Sequence, residues 1–133
     1  MTPLNITYNI MQEIYKDLLL FDKNLLDNTN EFFSFFQVWK KSDVYLIDCG
    51  YVRFEPYYNL RAATVHGMFH KTPFKHLQLI NSMLYLYLED HPGIDVLECQ
   101  VPKSMIGVNH LVKGFAGEPV KLKDGLLIYN IRR

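Results

Sequence analysis

The chain has 133 residues, 49% of them apolar and 14% aromatic, and its fourteen Lys plus Arg balance its fourteen Asp plus Glu. This length suits one domain that buries a core without metals or disulfides, and the composition is that of a globular rather than a disordered chain. A net charge of zero argues against a protein that works by neutralising many phosphates, so no nucleic acid is expected as partner.

No apolar run approaches the roughly 20 residues of a membrane span. The segment after Met1 has no basic stretch, and Asn5, Asn9, Gln12 and Glu13 interrupt it, unlike a secretory signal. A cytoplasmic protein without membrane partners is expected. Cys49 and Cys99 lack the spacing of metal ligands and read as two reduced, buried thiols. No repeat or Pro/Gly/Ser-rich linker divides the chain, so a single domain over residues 1–133 is expected.

Leu4 to Tyr8 reads as a short strand. Ile10, Ile14, Leu18, Phe21 and Leu25 then recur at helical spacing, with Asn9 as candidate cap. Asn30 to Lys40 reads as a second helix, crowded with Phe32, Phe33, Phe35, Phe36, Val38 and Trp39. A helix buries only part of its circumference against one sheet. Phe32, Phe33, Phe36 and Trp39 are therefore candidates for an exposed aromatic interaction surface.

Three strands follow, at Val44–Asp48, Tyr51–Glu55 and Ala62–His70, with Gly50 suited to a tight turn and Pro56 to Asn59 to another. Thr72-Pro73 opens a helix whose stripe is Phe74, Leu77, Ile80, Leu84 and Leu88, stopped by His91-Pro92-Gly93. Ile94–Val101 is a strand and Lys103–Lys113 a helix ended by Gly114. Val120–Lys123 and Leu126–Ile131 form a hairpin about Asp124-Gly125.

This order, together with the run Val101-Pro102-Lys103 through His110 to Gly114-Phe115, resembles the GNAT (N-acyltransferase) superfamily. The resemblance covers roughly residues 44 to 131. It implies an α+β fold with a mixed central sheet flanked by helices. In GNAT enzymes a glycine-rich loop and the helix N-terminus after it hold the pyrophosphate of acyl-CoA, and a tyrosine on the late helix often protonates the leaving thiolate. Here the corresponding connection, Phe69 to His76, contains no glycine, and Pro73 removes a backbone donor. Lys71 and Lys75 are the cations left to bind CoA. Aligning on Gly114-Phe115 puts His110 at the tyrosine position, Ser104 where the family has Asn, and Gly107 where it has a small residue.

The small size, the aromatic N-terminal helices and the missing glycine loop resemble the GNAT-like proteins of tailed phages. Thr2 through Trp39 is similar to podovirus head-assembly proteins. This resemblance implies a role in virion morphogenesis in the host cytoplasm, with phage head or internal ejection proteins as partners and no cofactor. The alternative is a divergent N-acyltransferase that uses acetyl-CoA, with His110 as general acid. A third reading is a phage protein that inhibits a host enzyme by surface contacts.

His66 and His70 share one strand face, with His76 close in sequence, but no third ligand is apparent and no metal is expected. His66 is also a candidate base above a substrate cleft. Glu55 and Glu98 are strand carboxylates that would serve as bases only if burial raised their pKa.

Overall fold

A computed structural model describes residues 2–22, 24–69 and 73–133. Helices α1 (Tyr8–Phe21) and α2 (Thr29–Lys40) precede strands β1 (Asp43–Ile47), β2 (Gly50–Tyr57) and β3 (Ala62–Phe69). Then come α3 (Leu77–Asp90), β4 (Val96–Pro102), α4 (Ile106–Ala116), β5 (Lys121–Lys123) and β6 (Leu126–Arg132). Short 3-10 turns occupy Tyr58–Leu60 and Pro73–His76. The strands form a mixed six-stranded sheet in the order β1-β2-β3-β4-β6-β5, with β3 in its interior as expected. Contacts group into two compact units, one of residues 2–55 with the end of β3 from Gly67, the other of residues 56–66 and 73–133.

In the first unit, α1 starts earlier than the sequence pattern suggests. Thr7, rather than Asn9, caps it, its hydroxyl accepting the Ile10 N–H at 3.2 Å. The expected strand Leu4–Tyr8 does not form. Leu4 N–H donates to the Val44 carbonyl at 2.7 Å, and the chain then turns into the helix. Asn28, rather than Asn30, caps α2 by accepting the Glu31 N–H at 2.8 Å. In both helices the earlier cap adds two residues, about half a turn, that hydrophobic spacing cannot register, because a cap is chosen by its hydrogen bond. Met11, Ile14, Tyr15 and Leu18 of α1 pack with Trp39, Val44 and Tyr51 into the core. Gly50 begins β2 at φ 148°, where an added Cβ would stand 2.0 Å from the Met68 carbonyl oxygen, so this close approach requires glycine.

The second unit contains the parallel pairing of β3 with β4, from Ala62–Val96 to Val65–Cys99. On its other edge β4 pairs antiparallel with β6 along its whole length, from Val96–Arg132 to Pro102–Leu126. Asp124 and Gly125 close the β5–β6 hairpin at φ 52° and 77°, the two positive angles of a tight primed turn, as expected of Asp-Gly. Helix α3 begins after the Pro73–His76 turn, and no side chain caps it at His76. Its buried face is Ile80, Met83, Leu84, Tyr87 and Leu88. Thr72, the expected cap, and His70, the expected strand end, lie outside the described residues, as does the side chain of Phe74.

Helix α4 departs most from expectation. It starts at Ile106 rather than Lys103 and runs through Gly114 to Ala116. Gly117 ends it, at φ 77°, with its N–H on the Lys113 carbonyl. Glycine stops a helix only where the chain takes the left-handed turn, and Gly114 keeps helical backbone. Among the described residues no helix is long and apolar enough to cross a membrane.

A candidate site between the third and fourth helices

Of the candidate catalytic and binding side chains that the sequence singles out, His110 alone among the described residues lines a groove, in the second unit. Leu77, Gln78 and Asn81 of α3 face His110, Leu111, Gly114 and Phe115 of α4 across an open depression of about 420 Å³. The floor is apolar, and the polar lining consists of two neutral amides and one imidazole. No carboxylate or ammonium lines it among the described residues.

Asn109 sets the placement of His110, and sequence reasoning missed it. Its side-chain amide donates to the Pro102 carbonyl at the end of β4 and to the Met105 carbonyl before α4, both at 2.9 Å. Its oxygen accepts the hydroxyl of the wholly buried Tyr129 on β6 at 2.7 Å. This one residue joins two strands to the start of a helix that lacks a side-chain cap. The Tyr129 bond is buried and the two carbonyl bonds are partly so, and together they hold α4 in place. The next residue, His110, then points outward, exposed, onto the groove rim. The missed signal is an amide between the apolar neighbours Val108 and Leu111: a polar residue on a buried helix face needs partners.

The other candidate groups lie elsewhere. His66 is half-buried, with Nε2 3.3 Å from the Thr64 hydroxyl, and does not line the groove. Lys75 is exposed in the 3-10 turn before α3. Lys71 lies outside the described residues. Glu55 pairs with Arg53 at 3.2 Å, and Glu98 accepts from Gln100 at 2.9 Å, so both carboxylates have strand neighbours. Among the described residues no three His, Cys, Asp or Glu side chains gather as a metal site would need.

Both cysteines are buried and neither forms a disulfide; burial, then the charge of Glu98, pushes the Cys99 pKa up to about 12. Cys99 is therefore not an activated nucleophile.

The aromatic surface needs correction at one position. Trp39 is 1% exposed and belongs to the core, stacked edge-on against Tyr51 with the Arg53 guanidinium over its ring. A residue so buried cannot meet a partner. Phe32 and Phe36 are half-buried, and Phe33 is 46% exposed. Tyr8 of α1 joins this cluster, its ring 5.6 Å from Phe32 and 5.9 Å from Phe36.

Among solved structures, that of Tetrahymena GCN5, a GNAT acetyltransferase, matches with a TM-score of 0.53 over 95% of this chain and 89% of that chain, at 16% identity. The fold is GNAT-like. No protein-family model matches the sequence, and no curated protein matches it. In this GNAT-like scaffold the α3–α4 groove takes in the first turn of the helix that follows the interior strand β3, and the late helix that carries His110.

Proposed function

We propose that this GNAT-like chain works by binding rather than by acyl transfer, as a head-assembly factor of a tailed phage. The observation that carries the first half is the entrance to α3. The chain reaches this helix through a 3-10 turn that begins at Pro73, no side chain caps the helix, and the groove beside it has no cationic lining among the described residues. A diphosphate needs several convergent N–H donors or cations to replace its water. Lys75 is a single exposed charge there. The assignment to phage heads is supported by the similarity of Thr2 through Trp39 to podovirus head-assembly proteins, and its partners would be head or internal ejection proteins. Phe33 is the most exposed of the four aromatic candidates and the place to test that contact.

One observation favours the alternative, a divergent N-acyltransferase. His110 stands on the rim of the groove at the position where the superfamily carries its acid, and among the described residues it makes no hydrogen bond or ion pair that would occupy it.

Melting curves with acetyl-CoA separate the two. A ligand present at 100 times its Kd stabilises the native state by about 2.7 kcal/mol. No shift is expected at millimolar acetyl-CoA. A shift of several degrees would install the acyltransferase reading, and His110→Ala should then lower kcat more than it weakens CoA binding. For the assembly role, Phe33→Lys should lower the yield of infectious particles in a complementation assay with its melting temperature unchanged. Normal yield would remove that surface as the site of action.

A further inference from the structure

We infer that the surface made by Tyr58, Leu60, Arg61 and Arg132 docks an acidic, extended segment of a partner protein. It shares no residue with the α3–α4 groove, so it stands or falls apart from acetyl-CoA.

The first support is a strained residue. Arg61 follows the 3-10 turn at φ 51°, a left-handed angle that is unfavourable for a residue with a side chain. Several contacts hold it there. Its N–H bonds to the Tyr58 carbonyl at 3.1 Å, and its guanidinium grips Asp95 through Nε at 2.6 Å and Nη2 at 2.9 Å. Nη2 also reaches the Pro92 carbonyl at 3.2 Å. The Tyr58 ring lies so close to Gly93 that an added Cβ would sit 3.2 Å from it. The turn is thus fixed before any partner arrives, which lowers the entropy cost of binding.

The second support is charge. Arg133 donates to the Ile94 carbonyl at 2.6 Å and to the His91 carbonyl at 3.2 Å, on the same loop that Arg61 grips. The Arg132 side chain makes no hydrogen bond among the described residues, and the residue stands opposite Val96, next to Asp95, on whose carboxyl it, Arg61 and Arg133 all act electrostatically. Arg61 alone contacts that carboxyl among the three, which leaves the Arg132 guanidinium for a partner. Planar guanidinium forks match carboxylates two bonds at a time, and the Arg61–Asp95 pair displays that geometry.

The third support is the apolar half of the patch. Tyr58 is 56% exposed and Leu60 69%. Tyrosine beside arginine is the composition of interface hot spots. A protein segment that mixes acidic and apolar residues satisfies both halves. A nucleic acid satisfies them less well, because the whole chain carries no net charge to hold a polyphosphate and the apolar half of the patch has no use for one.

The test is fluorescence anisotropy with the full chain and a labelled peptide, glutamate-rich with a central leucine. Arg132→Glu should weaken binding at least tenfold, and Lys121→Glu, the same charge change on exposed β5, should leave it within twofold. Lys121→Glu should melt with the parent and Arg132→Glu only slightly below it, since neither side chain has a hydrogen bond to lose among the described residues and Arg132 loses only its attraction to the exposed Asp95. Equal weakening by the two variants would reduce the effect to net charge and overturn the proposal. So would absence of binding to the parent at millimolar peptide, or tighter binding of a single-stranded oligonucleotide than of the peptide.

Discussion

Two polar networks tie loops together in the second unit, and they differ in burial. Asn109 and Tyr129 are neutral and nearly or wholly buried, and they join β4, α4 and β6 through three hydrogen bonds. Arg61 and Asp95 are charged and about half exposed, and they join the turn after β2 to the loop after α3. The exposed pair has the shorter contact, 2.6 Å against 2.7 Å. Distance is nonetheless a poor guide to which network matters more. Water competes for an exposed ion pair in both the folded and the unfolded chain, whereas a buried hydroxyl stripped of its partner finds no replacement. The structure therefore commits its late helix to the neutral network and leaves the charged one at a surface where a partner can reach it.

The largest effect that tests this contrast is expected at Asn109. Asn109→Ala leaves the Tyr129 hydroxyl buried and unpaired and removes one of the two hydrogen bonds at each of the Pro102 and Met105 carbonyls, which keep their backbone N–H donors, a loss of about 1–3 kcal/mol in denaturant unfolding. Tyr129→Phe alone should cost about 1 kcal/mol. The double variant should cost less than the sum, because the second change removes the orphan that the first creates. Strict additivity would show that the two residues do not act as one network.

The smaller effect belongs to Asp95, and pH reveals it. The hydrogen bond from Arg61, with the nearby guanidinium charges, holds the Asp95 carboxyl below the usual carboxylate range. A lowered folded-state pKa stabilises the protein above the unfolded value, and this contribution is lost as pH falls through the folded one. The melting temperature of the parent should therefore exceed that of Asp95→Asn at neutral pH, and the gap should close below about pH 4. A gap independent of pH would mean that Asp95 acts through packing rather than charge.

Much of the architecture could be read from residue order. Hydrophobic spacing located the four helices, and Asp124-Gly125 located the hairpin, because each depends on interactions a few residues apart. Helix ends were less legible. Asn9 and Asn30 are as able to cap as Thr7 and Asn28, and the choice falls to whichever backbone N–H the surrounding packing brings within reach. Gly114 and Gly117 are equally free to turn, yet Gly114 stays within the helix and the positive φ falls at Gly117, a choice that local sequence does not distinguish. The candidate site was legible in one member, His110. Its companions on α3 and the anchor Asn109 were not, since their roles depend on side chains many residues away.

Residue order thus carries an α+β chain, two cysteines without metal-ligand spacing and a glycine-free approach to α3. These follow from local propensity, composition and periodicity, which act without knowledge of the rest of the chain. Only the tertiary structure decided that Trp39 is core rather than surface, that Asn109 holds α4 through Tyr129, and that Arg61, Arg132 and Arg133 gather around Asp95. Burial and charge proximity belong to pairs of residues far apart in the chain, and only folding brings such pairs together.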